Sequence, residues 1–206
     1  ETVYMVMKYM RGRTLQFHIQ NHQQRFNDGF LRRIFLSLLN GLREVHAHKI
    51  VHLDIKPANV YINMDGTPVL LDFGAARQIL ASEGQNLRPL YTAGFAAPEQ
   101  YHGMQNVGPW SDIYSVGATM YACITGKAPR PADEREKEDK LQPLQKAWIS
   151  RFSRDLLSII DWCLMLRSDD RPPSVFSLQK ALSQIQDEAP AQNVIRSITS
   201  RFEQSK

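Results

Sequence analysis

The sequence predicts an α+β fold that is mainly α-helical and carries one short β-hairpin. Two observations lead there. Apolar residues recur at three- and four-residue intervals in residues 28–46, 154–166 and 174–185, the pattern of helices with a buried face, and residues 111–125 are apolar nearly all round. Against these stand two short runs of β-formers, Val60-Tyr61-Ile62 and Val69-Leu70-Leu71, joined by the turn Asn63-Met64-Asp65-Gly66-Thr67-Pro68. A chain of 206 residues, 43% hydrophobic and 22% charged, is long and apolar enough for one substantial globular core.

Taken in order, the chain opens on Thr2-Val3-Tyr4-Met5-Val6-Met7, a strand pattern already under way without an initiator Met, so a fragment of a longer protein is expected. Arg11 to Asn27 is polar, with room for a short helix around Leu15 to Gln20. Asp28 then suits the N-cap of a helix running to about His46. Phe30, Leu31, Ile34, Phe35, Leu38, Leu39, Leu42, Val45 and His46 form its apolar face. His46 and His48 read as structural or solvated rather than metal-binding. Beyond the hairpin, Ala75 to Leu90 reads as an irregular surface segment. The helix from about Ser111 to Thr125 is apolar nearly all round and so should be buried on every side, with Asp112 as an N-terminal cap. Pro129 to Lys140 reads as a solvated charged loop. Arg154 to Leu166 and the helix starting at Ser174 each present one apolar face, and the tail from Asp187 reads as a docking helix or a linker.

The chemistry-bearing residues concentrate in Val51 to Gly74. His52-Leu53-Asp54-Ile55-Lys56-Pro57-Ala58-Asn59 reads as a loop, because Pro57 has no N–H to donate and pushes Lys56 out of helical geometry. The hairpin that follows brings its outer ends together, so Asn59 and Asp72 should lie near each other. A carboxylate and an amide oxygen suit Mg²⁺, which is usually held by one or two protein oxygens plus waters and substrate phosphates. Asp54 would face this site as a base orienting a hydroxyl, and Lys56 would neutralise phosphoryl charge. Taken singly, Asp54 or Asn59 reads better as a turn residue capping backbone groups. The combination H-x-D-x-K-P-x-x-N, followed after the strand pair by Asp-Phe-Gly, shifts that reading toward a site.

This segment resembles the catalytic loop and metal-binding Asp-Phe-Gly of the eukaryotic-type serine/threonine protein kinases. The fold implied is a kinase-like C-terminal lobe: residues 1–10 as the last small-lobe strand and hinge, 11–186 as the large lobe, and 187–206 as tail or linker. The activity implied is transfer of the ATP γ-phosphate to protein Ser or Thr hydroxyls. The resemblance makes Asp54, Lys56 and Thr92 catalytic, and Asn59 and Asp72 ligands of Mg²⁺, with Mn²⁺ as an alternative. Met7, Lys8, Met10 and Tyr61 become nucleotide-binding positions, Met7 as gatekeeper and Lys8 to Met10 as hinge. His52, Phe73, Glu99, Asp112 and Arg171 become structural supports, Asp112 holding the catalytic-loop backbone and Arg171 pairing with Glu99 of Ala97-Pro98-Glu99. Thr92 favours serine/threonine over tyrosine specificity, and Gly94-Phe95-Ala96-Ala97-Pro98-Glu99-Gln100-Tyr101 has a bacterial look. The sequence departs from the family where His-Arg-Asp is His52-Leu53-Asp54. In the family that Arg usually pairs with an activation-segment phosphate, so Leu53 argues against such control.

A glycine-rich loop and the Lys-bearing strand of the small lobe are not in the sequence. They are expected N-terminal to Glu1, and without them the fragment alone is expected to be inactive. Two other readings carry forward: a pseudokinase or interaction module, prompted by Leu53, and a small-molecule phosphotransferase with a comparable loop. The net charge of +4 is spread along the chain, so nucleic acid is not an expected partner. No run reaches the length of a membrane span. Cys123 and Cys163 read as buried reduced thiols of a cytoplasmic protein, with a membrane tether open for the parent.

Overall fold

The computed structural model describes residues 9–73 and 91–185. The expectations placed on Met7, Lys8, Gly74 to Leu90 and the tail from Asp187 lie outside those residues. Strand β2 (Val60–Asn63) and strand β3 (Pro68–Leu70) form the expected antiparallel hairpin. A further strand, β1 (Gly12–Thr14), lies in the stretch read as polar and irregular, and pairs with β2 in the order β1-β2-β3. Pro68 is tolerated because β3 is an edge strand, where a missing N–H breaks no inner ladder. β1 can approach β2 because Gly12 has no side chain: a β-carbon there would sit 2.1 Å from the Ile62 carbonyl oxygen and 2.8 Å from the Tyr61 ring.

The helices are α1 (Leu15–His22), α2 (Asp28–Ala47), α3 (Pro98–Tyr101), α4 (Pro109–Thr125), α5 (Ala132–Lys137), α6 (Gln145–Trp148), α7 (Arg154–Cys163) and α8 (Val175–Gln184). α2 packs along α8, and α4 packs against α7, where a β-carbon on Gly117 would come within 2.4 Å of Cys163 Cβ. α4 is buried over nearly its whole length, including Asp112, Ser115 and Thr119. It is the platform on which the loops rest. Cys123 and Cys163 are buried free thiols, and burial pushes both well above the ordinary thiol range. Among the described residues no helix is long and apolar enough to cross a membrane.

Three expectations need correction. Asn27, not Asp28, caps α2, its side-chain oxygen accepting from Phe30 N at 2.8 Å. Asp28 is thereby released to accept from the backbone N–H and the hydroxyl of Ser153, joining α2 to the cap of α7. Asp112 does not cap α4, which starts two residues earlier than Ser111 with Pro109 in its first turn. The charged run 129–140 is not all solvated loop: it contains α5, whose Arg135 is buried and hydrogen-bonded to the Tyr114 hydroxyl, the Leu164 carbonyl and Asp139.

Replacing Gly12 by Ala forces the β1–β2 backbones apart. Overpacking of this kind costs about 1–3 kcal/mol, so a lower denaturation midpoint at unchanged m-value is expected for Gly12→Ala, measured in urea.

Candidate active site

The loop between α2 and β2 is shaped by backbone constraints before any side chain is considered. Leu53 has φ +63° and Asp72 φ +60°. The left-handed region is well tolerated by Asp but is an outlier for Leu. What holds Leu53 there is Asp112, fully buried, whose Oδ1 accepts from Leu53 N at 2.8 Å and whose Oδ2 accepts from His52 N at 2.9 Å. His46 Nε2 lies 2.7 Å from the same Oδ2. His46, read from sequence only as structural or solvated, therefore belongs to the support of the site.

His52 joins the two halves of the segment. Its Nδ1 accepts from Asp54 N at 3.3 Å, so its Nε2 carries the proton donated to the Leu71 carbonyl at 2.9 Å. Phe73 packs on the ring with centroids 4.6 Å apart. Leu71 N donates to the Asn59 carbonyl at 2.8 Å. These two bonds draw the start of β2 and the residue before Asp72 together.

Around Asp54 the side chains form a closed triangle. Lys56 Nζ is 2.8 Å from Asp54 Oδ2 and donates to Thr92 Oγ1 at 2.7 Å, while Thr92 Oγ1 donates to Asp54 Oδ1 at 2.8 Å. The ammonium has three donors, so one is left to face a substrate. Asn59 Nδ2 donates to both the carbonyl and Oδ2 of Asp54, at 2.8 and 3.0 Å. That fixes the sense of the amide and leaves its oxygen as the group available to a cation. An amide oxygen and the Asp72 carboxylate are hard ligands of the kind that suit Mg²⁺ or Mn²⁺. Among the described residues no cluster of three or more His, Cys, Asp or Glu forms a denser metal cage. Tyr61, half-buried on β2, donates its hydroxyl to the Met10 carbonyl at 3.1 Å, linking two of the positions grouped as nucleotide-binding.

The segment from Thr92 to Tyr101 is tied down separately. Ser115 Oγ donates to the Phe95 carbonyl at 2.8 Å. Gly94, at φ +84°, passes so close to the next segment that a β-carbon would meet the Pro129 carbonyl oxygen at 2.8 Å. Arg171, 2% exposed, uses all five guanidinium N–H groups: Nη1 and Nη2 on the Glu99 carboxylate at 2.8 and 3.0 Å, and the remaining donors on the carbonyls of Met165, Trp110 and Leu166. Burial opposes ionisation of Glu99, but hydrogen bonds and charge from Arg171, with the Ser111 hydroxyl, outweigh it and hold the carboxyl below its usual range.

A family model described as "Protein kinase domain" matches residues 1–184. The chain belongs to the protein kinase family. Family members generally use ATP and Mg²⁺. It is 33% identical over 162 residues to sperm motility kinase 2B of Mus musculus, covering 77% of this chain and 33% of that protein. It is 30% identical over 176 residues to serine/threonine-protein kinase F of Synechocystis sp., covering 82% of this chain and 34% of that protein. The solved structure titled "PpkA-294 apo form" superposes with a TM-score of 0.75 at 31% identity, over 85% of this chain and 61% of that chain. The chain thus spans about a third of the length of these curated kinase relatives.

Breaking one side of a buried ion pair costs about 3–5 kcal/mol, so Glu99→Gln should lower the unfolding free energy by that much at neutral pH. Because the Glu99 carboxyl is depressed in the folded state, this contribution is whole above the ordinary Glu range and is lost as pH falls through the lowered value. Unfolding measured against pH for both proteins should show their stabilities converging at acid pH.

Proposed function

We propose that this chain is the large-lobe portion of a serine/threonine protein kinase that transfers the ATP γ-phosphate to hydroxyls of protein substrates. The supporting observation is the closed Asp54–Lys56–Thr92 triangle, with every edge at 2.7 to 2.8 Å. In this reading Asp54 orients the acceptor hydroxyl and takes its proton, and Lys56 directs its remaining N–H at the transferred phosphoryl group. Thr92 holds both in register and borders the place where substrate lies. Asn59 and Asp72 hold the metal. Bound Mg²⁺ offsets the negative charge of the nucleotide phosphates.

We assign nucleotide binding to Met10 and Tyr61, and by the family resemblance to Met7 and Lys8, with a small lobe in the longer protein covering the phosphates. We place residues 11–186 in the large lobe and assign the chemistry to the cytoplasm, where ATP is held. Retention of all five groups, the Asp54–Lys56–Thr92 triangle with Asn59 and Asp72, supports catalysis over a purely binding role.

In the full-length protein, Asp54→Asn should reduce transfer of labelled γ-phosphate from ATP to a mixed Ser/Thr peptide pool by about 10²–10⁴-fold, with an unchanged circular dichroism spectrum. Thr92→Ser should retain far more activity than Thr92→Val. Unchanged transfer by the Asp54 variant would remove that residue from its assigned role.

A further inference from the structure

We propose that Gln100 is a positioning residue for catalysis: one side-chain amide, reaching from the substrate-presenting segment, that fixes the peptide plane immediately before Asp54. The proposal deepens the kinase reading and rests on it. Gln100 lies in α3 and is 2% exposed. Its Nε2 donates to the Leu53 carbonyl at 2.9 Å, and its Oε1 accepts from Ala97 N at 2.9 Å. The partners fix the sense of the amide, since a carbonyl only accepts and a backbone N–H only donates.

The peptide that joins Leu53 to Asp54 is held at both ends. Its oxygen is bound by Gln100, and its N–H, that of Asp54, is bound by His52 Nδ1. A peptide unit is planar, so fixing its two polar ends fixes the direction in which Asp54 leaves it. This matters here because Leu53 sits at φ +63°, a conformation a Leu residue leaves when its neighbours release it. Asp112 holds the N–H side of Leu53 and Gln100 holds the carbonyl side.

The other arm of Gln100 carries the coupling. Ala97 N belongs to the turn that begins α3, a few residues after Thr92, and Thr92 accepts backbone N–H bonds from Phe95 and Ala96 at 3.0 Å on its carbonyl. The same segment therefore grips Asp54 twice, at its carboxylate through Thr92 and at its preceding peptide through Gln100. A displaced substrate segment would turn the base away from the acceptor hydroxyl. As the third residue of α3, Gln100 meets a local need by capping Ala97 N; the bond to Leu53 is the one that the helix does not call for.

The test uses two variants of the full-length protein. Gln100→Met fills the space and removes both arms; Gln100→Glu keeps an acceptor for Ala97 N and removes the donor to Leu53. Misplacement of a catalytic group by about 1 Å can cost about 100-fold, so both variants should lose about 10- to 100-fold in kcat per folded molecule, with KM for MgATP within about twofold. Amide hydrogen exchange should quicken at residues 52–54 in both variants, and at Ala97 only in Gln100→Met, while α4 stays protected. A residue that serves stability alone would lower the folded fraction and leave kcat per folded molecule unchanged, which overturns the proposal. Unchanged exchange at 52–54 also overturns it. Faster exchange at 52–54 in a protein whose wild type transfers no phosphate would uphold the clip and refute the kinase reading instead.

Discussion

The site depends on one buried carboxylate. Asp112 projects from the first turns of α4 and accepts the N–H groups of His52 and Leu53 and the ring of His46. Two backbone N–H groups and the His46 ring satisfy this buried carboxylate, and each hydrogen bond to a charged group is worth about 1.5–3 kcal/mol. Leu53 in the left-handed region costs about 1–3 kcal/mol. The two magnitudes are comparable, which is why the strained loop persists. Placement near the N-terminus of a long helix adds a favourable dipole for the carboxylate.

From that point the constraints spread outward in order. The held backbone of His52 and Leu53 aims the imidazole at Leu71 and the Asp54 carboxylate at Lys56, Asn59 and Thr92. The hairpin brings up Asp72 behind Leu71. A second anchor, Arg171 on Glu99, fixes the segment that carries Thr92, and both anchors meet α4, since Ser111 also donates to Glu99. The two groups of candidate site residues are thus positioned by one rigid element, and a platform buried on all sides has little room to move.

What was legible in the sequence is what local physics decides. The apolar period of α2, α7 and α8 and the all-round apolar character of α4 survive any tertiary context, and the loop signalled by Pro57 and the turn at Asp65-Gly66 stand as expected. β1 was hidden because Gly12-Arg13-Thr14 has no apolar alternation; it is a strand only because β2 offers it a partner. α5 was hidden because a charged run reads as solvated, whereas Arg135 reaches inward to oxygens supplied by α4, by Leu164 just after α7, and by Asp139. Asn27 and Asp28 are both good caps, and sequence cannot say that Ser153 claims one of them. Gln100 and His46 gave no signal, since each reaches the catalytic-loop support through a partner, Leu53 or Asp112, more than 40 residues away in sequence.

Asp112 is what keeps Leu53 strained at φ +63°. The backbone angle of Leu53 in a crystal structure of the Asp112→Ala variant tests this directly. Released from its acceptor, Leu53 should return to negative φ and Asp54 should leave hydrogen-bonding distance of Thr92 and Lys56. If Leu53 remains near φ +63° with the Asp54–Lys56–Thr92 triangle intact, the loop is held by something else and the account is wrong.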